Sequence, residues 1–174
     1  MNKKVVSLLT VTSLLLVILM GRLSIGSVKA YVLMGHTVPN HNYVTYHGYS
    51  SFSAYINNFN TYAVKRNISP KITIVPSLGT SAAIQVQGDL MTSTGNYAVP
   101  YIQSDGTSSI CFFHSFVGFP AVEKHETIIY EVGHSLGLAH CQPSQENVSV
   151  MREKYFNHVE TPLLDDWAGI NALY

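Results

Sequence analysis

Side chains that can bind a metal or move a proton are concentrated in the stretch 127–141. If this stretch is a helix, Tyr130, Glu131 and His134 lie on one side of it, because residues three and four apart face the same way. His140 follows shortly after His134. Imidazole is a common zinc ligand, and a carboxylate can take a proton from a water that a metal activates. If the chain brings His140 back toward the helix, these side chains lie together and could hold a metal ion or move a proton.

The neighbouring residues supply the helix and the bend that this site requires. Apolar residues recur at helical spacing on the other side of the helix and predict a buried face: Ile128, Ile129, Val132 and Leu136. Gly137 permits the positive φ that ends a helix. We therefore expect the chain to turn at Gly137 and to return His140 to the side that holds His134 and Glu131.

The stretch resembles the metzincin zinc-protease signature, His-Glu-x-x-His-x-x-Gly-x-x-His. Glu131, His134, Gly137 and His140 match this signature in register, whereas Tyr130 stands where the first ligand histidine belongs. The resemblance implies Zn²⁺ as the cofactor, His134 and His140 as two of its ligands, and Glu131 as the general base. The functional question therefore depends on the tyrosine.

Tyr130 leaves two interpretations open. A bound Zn²⁺ strongly acidifies its ligands, so the tyrosine could coordinate the ion as a phenolate. Alternatively, it fills the space of a lost ligand, because its oxygen lies farther along the side chain than an imidazole nitrogen. A further alternative is that Glu131 and the two histidines form a polar cluster without a metal. His114 could face the cleft from the predicted last strand, whereas His125 is about half a turn out of phase with His134 and points away.

The resemblance continues past the signature. Ser149-Val150-Met151 is similar to the Met-turn of metzincins, which implies that Met151 packs beneath the zinc-bound imidazoles without binding the ion. The segment 162–174 is similar to the C-terminal helix of matrixins, a branch of the metzincins. In that family the paired acids, here Asp165 and Asp166, hold the Met-turn and the N-terminal arm.

Periodic patterns elsewhere predict the elements that position the site. Alternating or β-branched runs predict five strands, at 43–46, 71–75, 83–87, 97–99 and 110–114. Helical spacing predicts a packing helix from Ser50 or Ser51 to near Asn67. Pro120 suits the first turn of the long active-site helix, and Thr161-Pro162 opens a last one. With the resemblance, this order implies an α+β (α/β-like) metzincin fold with one twisted, mostly parallel five-stranded sheet and an antiparallel edge strand.

The first 30 of the 174 residues have the features of a secretory signal peptide. Lys3 and Lys4 precede an uncharged run from Val5 to Met20, and Val28-Lys29-Ala30 fits a cleavage site. We therefore expect a signal peptide at 1–30 and one matrixin-like catalytic domain at 31–174, secreted to the extracellular space. The rival interpretation is an uncleaved membrane anchor, for which the run is somewhat short.

Charge narrows the range of partners. Residues 31–174 hold six basic and ten acidic side chains, a net charge of −4 with histidine neutral. No basic run exists that could hold a phosphate backbone, so nucleic acid is not an expected partner. We expect a monomer that acts on a protein or peptide substrate and does not contact a membrane once the signal peptide is removed.

The chain has two cysteines, Cys111 and Cys141. In an exported protein two cysteines usually pair, so a Cys111–Cys141 disulfide is expected. Two alternatives stay open: one thiolate replaces the missing zinc ligand, or both thiols are free.

Two functions from different classes fit the sequence. The first is a secreted zinc metalloendopeptidase whose substrate lies along the edge strand of the sheet, with Glu131 activating the water. The second is a catalytically impaired relative of the same fold that acts as a binding module. Loss of one ligand on a retained scaffold is the feature expected of the second.

Overall fold

The computed structural model describes residues 31–174. The predicted signal peptide and its cleavage site, residues 1–30, lie outside the described residues. Within 31–174, none of the helices has the length and apolar character that a membrane span requires.

One sheet organises this part of the chain, with strands β1 (Val44–Gly48), β2 (Ile74–Pro76), β3 (Ile84–Asp89), β4 (Ala98–Ile102) and β5 (Ser108–Phe113). The strands lie in the order β2-β1-β3-β5-β4, and every neighbouring pair is parallel except β4 with β5. The edge strand β4 is therefore antiparallel to the rest of the sheet. The predicted α+β fold class is confirmed.

The described residues form four α-helices: α1 (Ile56–Ala63), α2 (His114–Val117), α3 (Ala121–Ser135) and α4 (Leu164–Leu173). Short 3₁₀ helices lie at His41–Tyr43, Ser50–Tyr55, Val64–Ile68 and Pro143–Val148. The predicted packing helix is thus a 3₁₀ turn, then α1, then a second 3₁₀ turn. Helix α3 begins directly after Pro120, as the sequence predicted.

The core lies between the sheet and helices α1 and α3. Phe52, Phe59, Phe112 and Phe116 are fully buried, and the ring centroids of Phe52 and Phe112 lie 4.4 Å apart. Ile128 of α3 joins the same core. Because the apolar side of α3 packs in this core, its other side can line the cleft.

The ends of β2 differ from the prediction. The strand begins at Ile74 instead of Lys71, because the preceding chain turns, with the N–H of Ile72 donating to the carbonyl of Ser69. The Asn67 side chain then bonds both the N–H and the carbonyl of Ile74, at 2.6 and 2.9 Å. Alternation along the strand did not reveal this turn.

The structure also corrects the position of His114. Strand β5 ends at Phe113, and His114 opens helix α2. Its Nδ1 donates to the carbonyl of Leu90 at 2.9 Å, on the exposed surface. The expectation that His114 could face the cleft is therefore wrong.

The predicted Cys111–Cys141 disulfide is not formed, and both cysteines are buried and free. Cys111 points to the opposite face of the sheet from Phe112, because successive residues of a strand alternate. Phe112 faces the aromatic core. Cys141 lies against Ser149 after the end of α3, and its N–H donates to the carbonyl of Met151 at 2.7 Å. Burial raises the pKa of both thiols.

Candidate active site

The structure brings the aromatic and imidazole rings of the signature together. Tyr130 and His134 lie on the cleft side of α3, with ring centroids 4.5 Å apart. Gly137 adopts a φ of +104°, which ends the helix and lets the chain return. The ring of His140 then lies 5.2 Å from that of His134 and 6.0 Å from that of Tyr130. Three potential donors therefore face one small space.

His134 has the geometry and charge state of a metal ligand. Its Nδ1 donates to the carbonyl of Leu138 at 2.7 Å, so Nε2 is the nitrogen free to face the cleft. Metal-binding histidines are typically oriented by such a bond from their other nitrogen. Burial lowers the pKa of His134 to about 4, helped by the nearby His140 and Arg66 and opposed by the Leu138 bond. The ring is therefore neutral at pH 7, as coordination requires.

Tyr130 and His140 are bonded to each other. The hydroxyl of Tyr130 donates to Nε2 of His140 at 2.6 Å. Burial, followed by the charge of Glu131, raises the pKa of Tyr130 above its usual range, so the side chain is a phenol here. Two donors about 2.1 Å from one tetrahedral ion are about 3.4 Å apart, so both can bind a metal only if this pair opens by roughly 0.8 Å.

Glu131 is a buried carboxyl group with an orphaned atom. It is 3% exposed, it lines the cleft beside His134, and its Oε2 has no hydrogen-bond partner within the described residues. Burial raises its pKa to about 8. Buried polar atoms are almost always paired, so an orphaned oxygen here is a place for a water or a cation. The two imidazoles, the phenol and this carboxyl group therefore form a candidate metal site, in which the orphaned oxygen faces the same space as the donors.

The segment Ser149-Val150-Met151, the Met-turn of the sequence resemblance, lies against helix α3 beside Gly133. Ser149 Oγ donates to one oxygen of Asp166 at 2.6 Å, and the N–H of Val150 donates to the other at 3.1 Å. The N–H of Met151 donates to Ser149 Oγ at 3.0 Å. Asp166 also accepts the N–H of Leu163 at 2.7 Å, which ties the start of α4 to the same turn.

Gly133 allows the Met-turn to pack directly against α3. A Cβ atom added at this glycine would overlap the sulfur of Met151 and would lie 2.6 Å from Nη2 of Arg66. Helix α3 therefore has no side chain at the point where Met151 and Arg66 approach it.

Arg66, which no sequence pattern singled out, lies beside Met151 beneath helix α3, and we call Arg66 and the Met-turn together the floor of the site. Arg66 is fully buried; its Nη2 donates to the carbonyl of Ile129 at 3.1 Å and contacts the sulfur of Met151 at 3.4 Å. Its Nε and Nη1 have no hydrogen-bond partner among the described residues. Burial lowers the pKa of Arg66, and the charge of Asp166 acts in the opposite direction. The glycine at 133 was the available signal that a bulky group lies below the helix.

Glu126 is a second residue that no sequence pattern singled out. It is buried one turn before Tyr130, and its two oxygens accept the N–H groups of Asn157 and Val159 at 2.8 and 3.1 Å. These bonds hold the chain that follows the Met-turn. A cavity of about 500 Å³ lies beside this chain and Glu131.

His125 and two acids of exposed turns, Asp89 and Asp105, bond to other parts of the chain and not to the signature residues. His125 pairs with Glu160 at 2.6 Å and stacks on Tyr62, so it points away from His134 as predicted. Asp89 and Asp105 bond threonines in their own turns, at 2.8 and 2.7 Å. Among residues 31–174, no three His, Cys, Asp or Glu side chains are close enough to hold a metal ion. His134 and His140 are two candidate ligands, and the third side chain that faces the same space is that of Tyr130.

Comparison with known proteins gives a fold. No family model matches the chain, and no curated protein matches its sequence. A solved structure of myroilysin matches with a TM-score of 0.60 and 14% identity, covering 83% of this chain and 98% of that one. A second myroilysin structure matches with a TM-score of 0.56 and 15% identity, covering 82% and 88%. The chain therefore shares the metzincin-like α+β fold of myroilysin.

Proposed function

We propose that this protein is a secreted zinc-dependent metalloendopeptidase. The observation that carries the proposal is the convergence of His134, His140 and Tyr130 beside the orphaned buried carboxyl group of Glu131. The fold is that of myroilysin, a metalloprotease. Secretion as a monomer, after cleavage following Ala30, is part of the proposal.

The residues present have distinct roles in the proposed reaction. Nε2 of His134 and Nε2 of His140 would hold the ion, with the Tyr130 oxygen as the third ligand once it releases His140. Bound there, Zn²⁺ would polarise the scissile carbonyl and acidify a water molecule. Glu131 would accept the proton of that water and pass it to the departing amine. The edge strand β4 would hold the substrate backbone.

One observation favours a second candidate, a catalytically impaired binding protein of the same fold. The hydrogen bond between Tyr130 and His140 occupies a nitrogen that zinc requires. If that bond outcompetes the ion, the cleft binds a peptide without cutting it.

Metal content and casein cleavage separate the two candidates. We expect the purified 31–174 chain to bind about one zinc per molecule at micromolar free zinc and to degrade casein. E131A should lose turnover, because the base is gone, and should retain the metal. E160Q, which removes an exposed carboxylate that pairs with His125, is the matched control. Absence of zinc from the wild type would exclude the peptidase, and turnover by E131A would remove Glu131 from the base role.

A further inference from the structure

The hydrogen-bond pattern of β4 determines which of its backbone groups are free. The N–H of Phe113 donates to the carbonyl of Tyr97, and the N–H of Gln103 donates to the carbonyl of Thr107. Both bonds fit one antiparallel register, in which every second residue of this strand bonds to β5. The residues in between direct their N–H and carbonyl groups away from β5, toward the open edge of the sheet.

The residues that face the open edge are Ala98, Pro100 and Ile102. They offer three carbonyl groups but only two N–H donors, because proline has none. Ala98 and Pro100 also line the cleft together with Glu131 and His134. The position without an N–H donor, Pro100, therefore lies beside the candidate catalytic residues.

We propose that Pro100 sets the register of a peptide bound along β4 and thereby selects the bond that is cut. A peptide strand on this edge pairs with Ala98 and Ile102 on either side of the proline. In either strand orientation, one peptide carbonyl faces the Pro100 nitrogen and finds no donor. The other carbonyls near it are held in the plane of the sheet by hydrogen bonds.

This inference rests on the proposed peptidase function and names a specificity-determining residue for it. The unpaired carbonyl is free to turn toward the cleft, where the catalytic residues lie. Hydrolysis at that carbonyl adds one water across the C–N bond; the carbon gains the hydroxyl group and the amine gains the proton. The bond that follows the residue facing Pro100 is then the bond that breaks.

A purely protective role for Pro100 makes a different prediction. Proline on an edge strand also prevents unwanted pairing between chains. If that were its whole role, P100A would promote self-association but would cut casein at unchanged positions.

Cleavage mapping tests the register. P100A restores the missing donor, so we expect a changed set of casein fragments by mass spectrometry, and about tenfold lower kcat at the original sites without a rise in KM. V99A is the matched control, because the N–H of Val99 faces β5, and it should leave the fragment set unchanged. An unchanged fragment set and kcat in P100A would overturn the inference.

A binding measurement makes the test independent of turnover. In the non-hydrolysing E131A protein, a terminally blocked decapeptide of threonine and alanine should slow hydrogen exchange at the amides of Ala98 and Ile102. Adding P100A should create a third protected amide, at position 100, and tighten binding by about 2- to 10-fold. No protection at this edge, or no effect of P100A, would overturn the inference. Failure of the wild type to bind zinc would instead overturn the proposed function.

Discussion

The two sides of helix α3 are held in different ways. On the inner side, Arg66 donates to the carbonyl of Ile129. Asp166 accepts two hydrogen bonds from the Met-turn, from Ser149 Oγ and the N–H of Val150, and a third from the N–H of Leu163. On the cleft side, the hydroxyl of Tyr130 bonds a candidate ligand, and Glu131 has an orphaned oxygen. Unpaired atoms occur on both sides, Nε and Nη1 of Arg66 on the inner side and Oε2 of Glu131 on the cleft side, but only the inner side is joined by several hydrogen bonds to one buried carboxylate, that of Asp166.

This difference locates the departure from the metzincin signature. The contacts of the Met-turn and the glycine that makes room for it are both present in this structure. Tyr130 is the signature position at which this sequence differs, and its hydroxyl contacts His140. Substitutions at position 130 therefore test the proposed function most directly.

The largest effect on activity is expected from a substitution on the cleft side of helix α3. Y130H supplies a neutral nitrogen at the first ligand position and frees His140, so we expect tighter zinc binding and about a hundredfold or greater gain in casein turnover. Y130F is the control, because it also frees His140 but adds no ligand. An inactive Y130H with an unchanged fold would mean that the site is defective elsewhere.

The inner side can be disrupted with the ligands left in place. Asp166 is 1% exposed, and D166N sets an amide NH₂ against one of the N–H donors that the carboxylate now accepts. We expect the free energy of unfolding in urea to fall by about 3 kcal/mol. E160Q, at an exposed ion pair, should change it far less, because solvent screens the pair. Equal effects of the two changes would show that the network does not support the floor.

The smallest effect concerns the orphaned carboxyl group in metal-free protein. Burial raises the pKa of Glu131 to about 8, so the folded state keeps a proton that the unfolded chain loses near pH 4.5. Stability therefore falls as pH rises through this window. His134, with its pKa lowered to about 4 from 6.5, has the opposite effect below pH 6.5. Between pH 6.5 and 8 only Glu131 of these two groups changes its protonation, so we expect the free energy of unfolding to fall by about 2 kcal/mol.

Urea unfolding with a chelator, at pH 6.5 and at pH 8, measures this slope. E131Q carries no titrating group at this position and should remove the slope. The same slope in both proteins would show that Glu131 is already ionised in the folded state.

The sequence predicted the parts of the site that follow from local spacing. Positions three and four apart placed Tyr130 and His134 on one side of a helix, and a glycine with positive φ was the expected bend. The mostly parallel sheet was predicted from the order of strands together with the resemblance. These features depend on short-range geometry, which a single sequence contains.

The errors concern long-range geometry. Arg66 closes a short amphipathic segment, where arginine is usually exposed, and its burial depends on a glycine far along the chain. The expected disulfide failed because spacing along the sequence does not fix which face of β5 holds Cys111. The hydrogen bond between Tyr130 and His140 depends on how the chain returns after the bend, which the motif alone does not specify.

The two free thiols can report how often the structure around them opens. Each is buried and its raised pKa keeps it in the unreactive thiol form, so an alkylating reagent must wait until the surrounding structure separates. Labelling of Cys111 reports the opening of the sheet, and labelling of Cys141 reports the opening of the chain beside the cleft. Labelling rates at the two positions therefore measure separately how often each region unfolds, with no engineered probe.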